Sequence, residues 1–496
     1  MERAGEAAGL SALLLHLNDI GLSYNQDRFL LDAVEIAVLR TLRNLKYKAR
    51  IQIFDGYKLL GIMDETGFLQ EGEIFVCTEK VDGPSTVRTA DMVAISRSPA
   101  LHPGDVQVVR AVEVPEDSPL RRLSNCVVFS QHGERDLPSC LSGGDLDGDL
   151  YDVIFDQRFI PEAIHTPADY PRAAEMQLDH AVTKEDITKF FINFMKNDRL
   201  GAICNRPMQL ADQRDRGTKH HDCIQLAGMA STAVDFSKTG IPVDMKDAPR
   251  ANMSFPDFMA DGPQLVINEK GASFEERTFD FDDGEDDPVA DLDPDLRKRM
   301  YYESSSVLGL LYRNIDELQF FKDRQEAGRH SLESDGLEPL MFRLWKHVER
   351  ETQALQWEQY KEVAKEVKET YEHNLLATIR AHSPSTERIL TELEVFSGSI
   401  VGNSRGAQGK QVRELAKSMR DKYERDTRFA IERIVHDEDG DRNEALPRAV
   451  ASLWVGMNQK GLSTRDVGEM KSFKYVAAGV CLRELKAFHG GLLRRL

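Results

Sequence analysis

Apolar residues along this chain follow three successive spacings, and each predicts a different kind of element. Between residues 8 and 44, Leu10, Leu13, Leu14 and Leu17, then Leu30, Leu31, Val34, Val38 and Leu42, recur mostly at intervals of three and four. That is the spacing of helices burying one face. From about Lys46 the period shortens. Arg50-Ile51-Gln52-Ile53 alternates, and Lys58–Ile62, Glu73–Cys77, Val106–Val114 and Cys126–Phe129 are short apolar runs. Turn residues Asp55-Gly56 and Gln70-Glu71-Gly72 punctuate them. Residues 46–156 therefore read as short strands wound into a barrel. After about Pro161 the helical period returns, with helices expected over 184–197, 205–215 and 222–234.

Residues 262–297 lose any period and are rich in acid. A long amphipathic helix is expected from about Leu340, with Tyr360, Val363, Val367, Tyr371, Leu375 and Ile379 on one stripe. Ser383-Pro384 would cap the next helix, with proline at its first position. Ser397–Gly409 reads as a Gly/Ser loop, and helices over 410–436 and 443–490 complete the chain, with no internal repeat. The expected fold is α+β. It divides into a helical segment 1–45, a barrel domain 46–160, a helical flanking region 161–335 with an acidic loop at 280–295, and a helical C-terminal, head-like domain 336–496.

At 496 residues the chain is too long for one ordinary core. No apolar run approaches the roughly 20 residues of a membrane span, and the opening Met-Glu-Arg lacks a basic-then-apolar leader pattern. The expectation is an intracellular protein of nucleus or cytoplasm, with no membrane partner. Six scattered cysteines without a C-x-x-C pair predict reduced, buried thiols rather than a zinc site. The net charge of −19, from 64 basic and 83 acidic side chains, excludes a uniformly basic phosphate-binding surface. Much of the excess sits in the run Asp280–Asp295, so a local basic groove is still allowed.

The sharpest chemical signal is Ser142-Gly143-Gly144-Asp145-Leu146-Asp147-Gly148-Asp149-Leu150-Tyr151. Aspartates at alternate positions can project to one side of an extended or looped backbone. Glycines at 143, 144 and 148 let that backbone turn tightly. Three converging carboxylates repel one another unless a cation neutralises them, and hard oxygen donors in this number suit Mg²⁺. An EF-hand would need glycine six positions and glutamate twelve positions into the loop, where this chain has Leu150 and Asp156. A plain polar turn is the bland alternative. The apolar strands on either side, Cys126–Phe129 and Tyr151–Phe155, weigh against it.

The form SGGDLDGDLY resembles the signature of eukaryotic cell-encoded RNA-dependent RNA polymerases, the enzymes of RNA silencing (quelling type), in their C-terminal catalytic half. Other blocks follow in the family's order. Gly61-Ile62-Met63-Asp64-Glu65-Thr66-Gly67 with Leu69, Gly72 and Glu73 is one, and Arg97-Ser98-Pro99-Ala100-Leu101-His102-Pro103-Gly104-Asp105 is another. Asp198-Arg199-Leu200-Gly201, Ala211-Asp212 and Ala233-Val234-Asp235-Phe236-Ser237-Lys238-Thr239-Gly240 come after the aspartate loop. The match is good from about residue 45 to 260 and weaker beyond.

The resemblance implies a double-psi β-barrel carrying the aspartate loop, and Mg²⁺-dependent templated transfer of nucleotides from nucleoside triphosphates on a single-stranded RNA template. Asp145, Asp147 and Asp149 would be catalytic metal ligands, with one Mg²⁺ activating a 3′-hydroxyl and a second holding the triphosphate. Lys238, Arg97, Arg135 and His102 become candidates for contact with substrate or RNA, although His102 is better suited to bracing the Pro103-Gly104 turn. Where the family often reads Gln-Lys-Gly, this chain reads Gln131-His132-Gly133, and a histidine carries positive charge only partly near neutral pH. Lys410, Arg413, Lys417 and Arg420 share one helix face, either as an RNA-binding stripe or, better, as a solvated one. His220-His221 are adjacent and diverge on a helix, a poor metal pair.

Family members usually carry a preceding region that includes a second barrel. The partners implied therefore include a second chain supplying such a barrel, along with Dicer and Argonaute pathway proteins that use double-stranded RNA. Two rival readings stay open at this point. One is a catalytically inactive RNA-binding or scaffold remnant. The other is a subunit of a cellular DNA-dependent polymerase, whose loop usually reads Asn-Ala where this chain has Gly143-Gly144.

Overall fold

A computed structural model of the chain describes residues 10–79, 85–170, 177–197, 200–260, 264–268, 271–275, 301–332, 338–385, 388–400, 406–436 and 440–493. Two compact units emerge. One comprises Arg50–Met259 and Met300–Leu310; the other comprises Met1–Ala49, Ala260–Arg299 and Leu311–Leu496.

The first unit is built on seven strands: β1 (Gly56–Met63), β2 (Glu73–Thr78), β3 (Thr86–Arg88), β4 (Ala90–Arg97), β5 (Val106–Ala111), β6 (Cys126–Phe129) and β7 (Leu150–Ile154). Hydrogen bonding runs β2-β5-β4-β7-β1-β6, and β6 pairs back onto β2, so six strands close a mixed barrel while β3 adds to β2. The β1–β6 and β2–β5 pairs are parallel; β1–β7, β2–β6, β4–β5 and β4–β7 are antiparallel. Alternate residues such as Ile74, Val76, Ile95, Val109, Val127, Phe129, Tyr151 and Val153 share the barrel core. The opposite faces of β2 and β6 bury Phe75, Cys77, Cys126 and Val128 in a second cluster with Leu69, Val114 and Leu120. Burial on both sides explains why Glu73–Cys77 and Cys126–Phe129 read as continuous apolar runs instead of alternating ones. Each large apolar side chain so buried contributes about 1.5–3 kcal/mol relative to exposure.

Two turns that the sequence blocks mark are organised by buried carboxylates. Asp64 has no exposed surface and accepts hydrogen bonds from the Thr66 N–H (2.9 Å), the Thr66 hydroxyl (2.6 Å) and the Leu69 N–H (2.8 Å). Burial acts to raise its pKa, but these donors outweigh it and hold the carboxyl below its ordinary value. Asp105 is equally buried and closes the Leu101–Asp105 turn.

One expectation for the barrel region changes, and two strands are added. Arg50–Ile53 is not a strand, and Ile51 is 53% exposed: alternation without a partner to pair with leaves the segment irregular. Conversely, β3 and β4 form without a clear sequence signal. β4 begins with a register irregularity between Ala90 and Val93 that breaks its alternation. After the barrel come helices Lys184–Asn197, Leu200–Gln213, His221–Val234 and the short Phe236–Thr239, close to the expected spans.

The second unit is helical, apart from two small hairpins, and its core gathers residues from Leu13 to Leu485. Helix Arg28–Lys48 is N-capped by Asp27, whose carboxylate accepts from the Leu30 N–H at 3.1 Å, and ends at left-handed Ala49 (φ 47°). The long helix expected from Leu340 divides into Leu340–Glu351 and Lys361–His382. The second piece buries Val367, Tyr371, Leu375 and Ile379 as the stripe requires, whereas Val363 is 40% exposed. Ser383 is the C-cap of that helix and not the start of the next. Thr391 caps the following helix, Glu392–Phe396, in a capping box with Glu394.

The helix expected over 443–490 likewise divides into Ala445–Asn458 and Phe473–Leu493. A strand pair, Ser463–Thr464 with Gly468–Glu469, intervenes. Helix Gly406–Val435 begins inside the expected Gly/Ser loop. A hairpin, Gln264–Asn268 with Gly271–Glu275, forms where no period was seen. The acidic run 280–295 lies outside the described residues, as do the side chains of Lys410 and Arg413. All six cysteines are free, and all but the half-buried Cys204 are buried. Among the described residues no helix is long and apolar enough to cross a membrane.

Candidate active site

The aspartate loop is the connection from the short helix Leu137–Cys140 into β7. It lies in an open cleft of about 240 Å³. One side of the cleft is Arg97, Pro99 and Leu101 at the end of β4 and just after it. Another is Arg135 and Ser139, and a third is Tyr170. The small residues Ala227, Ala230 and Ser231 of helix His221–Val234, followed by Asp235 and Lys238, complete the wall.

Asp145, Asp147 and Asp149 each place a carboxylate oxygen so that the three lie within 4.8 Å of one another. The loop achieves this with left-handed backbone at Ser142 (φ 58°) and Gly143 (φ 66°) and a further positive φ at Gly148 (127°). Internal hydrogen bonds hold it. The Asp145 N–H donates to Asp149 Oδ2 (3.0 Å), and the Asp147 N–H donates to Asp145 Oδ1 (3.3 Å). From below, the buried Tyr151 hydroxyl donates to the Asp145 carbonyl (2.8 Å) and the Gly61 N–H to the Asp149 carbonyl (3.1 Å). A Cβ on Gly144 would stand 2.7 Å from both Arg97 Cδ and the Tyr151 hydroxyl, so only glycine fits there.

Charge within the cleft is unevenly compensated. The Arg97 guanidinium grips Asp149 with two nitrogens, Nε at 2.6 Å from Oδ2 and Nη2 at 3.0 Å from Oδ1, and donates a third bond to the Ser142 carbonyl (3.3 Å). Asp147 has weaker company: Lys238 Nζ lies 3.7 Å from its Oδ2, both side chains 65% exposed. A hydrogen bond with the Asp145 side chain, and that neighbour's negative charge, raise the Asp147 pKa despite Lys238. The outer part of the loop therefore carries surplus negative charge where a cation would enter.

The remaining expected residues take distinct places. His102 braces its turn, its Nδ1 accepting from the Gly104 N–H at 3.0 Å. Arg135 lines the cleft with its donors on Ser139 Oγ (3.0 Å), the Ser139 carbonyl (2.7 Å) and the Ala168 carbonyl (2.9 Å). Lys238 sits in a one-turn helix that Gly240 ends in left-handed conformation (φ 77°). His132 is not among the cleft-lining residues; its Nε2 lies 3.2 Å from the Gly67 carbonyl. Arg420 donates to the Gly398 carbonyl (3.3 Å), so it is not part of a free basic stripe. His220, His221 and Asp222 do place ligand atoms within 4.8 Å of one another. Asp222 is paired with Arg214 (3.0 Å), and the His220 Nδ1 caps its helix by accepting from the Asp222 N–H.

Sequence reasoning missed Asp105, Ser142, Tyr151 and Tyr170 as parts of the site. Asp105 and Tyr151 stood at the ends of quoted blocks without being singled out. Tyr170 carries no local signal.

Residues 1–315 match the family model described as RNA dependent RNA polymerase. The chain is 40% identical over 232 residues to a probable RNA-dependent RNA polymerase 1 of Oryza sativa subsp. japonica, covering 46% of this chain and 31% of that protein. It is 28% identical over 500 residues to RNA-dependent RNA polymerase 6 of Arabidopsis thaliana, covering 92% of this chain and 36% of that one. The chain thus spans about a third of the length of these relatives. Among solved structures, RNA dependent RNA polymerase QDE-1 from Thielavia terrestris aligns with a TM-score of 0.48 at 16% identity, over 97% of this chain and 48% of that one. With the family model covering well over half of its 496 residues, this chain belongs to the eukaryotic RNA-dependent RNA polymerase family.

Proposed function

We propose that this chain carries the metal-dependent centre of an RNA-directed RNA polymerase that copies single-stranded RNA into double-stranded RNA from nucleoside triphosphates. The observation that carries this reading is the convergence of three carboxylates within 4.8 Å in a cleft that also presents Lys238 and Arg97. The donor set fits Mg²⁺: hard oxygens only, surplus negative charge at Asp147, and an open side from which substrate phosphates could complete the coordination. Asp145, Asp147 and Asp149 would hold the ion. Bound there, Mg²⁺ would acidify the attacking hydroxyl and screen the triphosphate.

The protein's own part is positioning. Arg97 and the Asp145 N–H fix the Asp149 carboxylate, while Tyr151 and Gly61 fix the loop backbone. Lys238, exposed beside Asp147, can swing to a phosphate oxygen. Arg97 could share its guanidinium with bound nucleotide. Arg135, with its donors engaged by backbone, would shape the wall that RNA passes, and His102 would act only through its turn.

The closed six-strand barrel with parallel β1–β6 and β2–β5 pairs supports the finer assignment of a double-psi barrel. A role in small-RNA production for silencing, with Dicer and Argonaute proteins downstream and a second chain bringing another barrel, rests on the family resemblance. Loading the protein with Fe²⁺ and adding peroxide and ascorbate tests the site without requiring activity. Cleavage of the chain near residues 142–151 and 235–238, suppressed by excess Mg²⁺ and lost in Asp147→Ala, is expected. Cleavage elsewhere only, or unchanged by the substitution, would refute the assignment.

A further inference from the structure

We propose that Asp105 is a positioning residue for the metal-binding loop: by gripping Ser142 and Tyr170 it sets the spacing of the three carboxylates and hence their affinity for a divalent cation. This inference rests on the reading of Asp145, Asp147 and Asp149 as metal ligands.

Asp105 has no exposed surface, and four neutral donors converge on its carboxylate. Oδ2 accepts from the Leu101 N–H (2.9 Å), the His102 N–H (2.8 Å) and the Ser142 hydroxyl (3.1 Å); Oδ1 accepts from the Tyr170 hydroxyl (2.9 Å). The two backbone contacts are local: the His102 N–H contact is half of a capping box, and the Leu101 N–H belongs to the residue just before it. A turn needs no more than that. The two hydroxyls come from segments 37 and 65 residues away, which local turn chemistry does not require.

Both hydroxyls act at the root of the aspartate loop. Ser142 takes left-handed backbone (φ 58°), a conformation that a residue with a Cβ holds only when its surroundings insist. Its single hydroxyl proton lies between the Asp105 carboxylate and the Pro99 carbonyl, which share it, and its own carbonyl accepts from Arg97. Tyr170 lies behind Gly143, whose added Cβ would be 3.5 Å from the Tyr170 Cβ. Asp105 thus joins the segment after β4 to the first residue of the loop and to the tyrosine behind the second. Asp145 follows three residues after Ser142, with Gly143 and Gly144 between. A shift at Ser142 is passed on to the ligands, and partners of ligands placed in this way typically alter metal affinity 10–100-fold when removed.

The test is binding of Mn²⁺ alone to the full chain, followed by the loss of the free-ion electron paramagnetic resonance signal, beside thermal melting of the same samples. Tyr170→Phe removes one hydroxyl and is expected to weaken Mn²⁺ roughly tenfold; Asp105→Asn is expected to reach the upper part of the 10–100-fold range. Asp64→Asn is the control: it unpicks an equally buried carboxylate-centred turn of the same barrel, so it should lower the melting temperature and leave Mn²⁺ affinity unchanged. Should Asp105→Asn not fold, Tyr170→Phe decides. Wild-type affinity in Tyr170→Phe, or an equal loss in Asp64→Asn, overturns the positioning role. Wild-type affinity in Asp147→Ala overturns the metal reading itself, and the inference with it.

Discussion

Gly61 lies on β1 beneath the aspartate loop, and replacing it with alanine offers a calculable test of how the barrel supports the site. A Cβ there would stand 2.4 Å from Tyr151 Cε2, 2.8 Å from Tyr151 Cδ2 and 3.0 Å from a Phe129 ring carbon. Tyr151 has no exposed surface and packs edge-on against Phe129 at 4.8 Å, so the ring has nowhere to retreat without disturbing the core. Its hydroxyl also supports the Asp145 carbonyl. Overpacking of this kind costs about 1–3 kcal/mol, and loss of the hydroxyl's bond about 0.5–1.5 kcal/mol. Gly61→Ala should therefore destabilise the barrel by about 1.5–4.5 kcal/mol.

Hydrogen exchange of peptides from β1 and β7 is the assay, since all three tryptophans, Trp345, Trp357 and Trp454, lie in the helical unit and their fluorescence does not report on the barrel. In a Tyr151→Leu background the two closest ring atoms are absent and only the 3.0 Å Phe129 contact remains, so the same Gly61→Ala change should cost under about 1 kcal/mol, a coupling of at least about 0.5 kcal/mol. A Gly61→Ala protein within about 0.5 kcal/mol of wild type, or one whose cost is the same in both backgrounds, would refute the reasoning.

Three further outcomes follow from named groups. Asp64 is held below its ordinary pKa of 3.8, so its stabilisation is complete above that value and is lost as pH falls through the depressed folded value. Asp64→Asn should destabilise the barrel at pH 7 and flatten its acid unfolding limb, both visible in melts across the acid range. Glu35, 3% exposed with its Oε1 unpartnered, is pushed up to about 7, first by burial and then by Asp32. The native state binds the extra proton between pH 4.5 and about 7, so the helical unit should lose about 1.4 kcal/mol per pH unit over that window. Glu35→Gln should abolish the loss in tryptophan-monitored unfolding, and a pH profile unchanged by the substitution would count against it. On the proposed reading, Lys238→Ala removes a cation that would meet a substrate phosphate, a charged hydrogen bond of about 1.5–3 kcal/mol. A rise of roughly tenfold or more in nucleotide KM, with a smaller change in kcat, is expected in steady-state incorporation.

Much of this fold could be read from spacing, and the failures have physical causes. β1, β2, β5 and β6 showed as apolar runs because burial on one or both faces demands such residues, whereas β4 hid behind a register irregularity. Helix existence was legible from the period of three and four. Breaks at Thr352 and between Asn458 and Phe473 were not, because the apolar stripe continues on either side of them. The aspartate loop announced itself through its composition. What holds it did not: the Asp105 contacts to Ser142 and Tyr170 join residues far apart in the chain, and only folding brings them together. Ser142 in left-handed backbone was likewise beyond sequence reasoning, since glycine is what that conformation ordinarily advertises.

The most direct measurement is incorporation of labelled nucleotides on a single-stranded RNA template with Mg²⁺ by the chain and its Asp147→Ala variant. Template-dependent product from the chain, reduced at least about a hundredfold in the variant, is the expected result. Product of equal yield from both proteins, or product that forms without template, would contradict the assignment of the three aspartates as the polymerising centre.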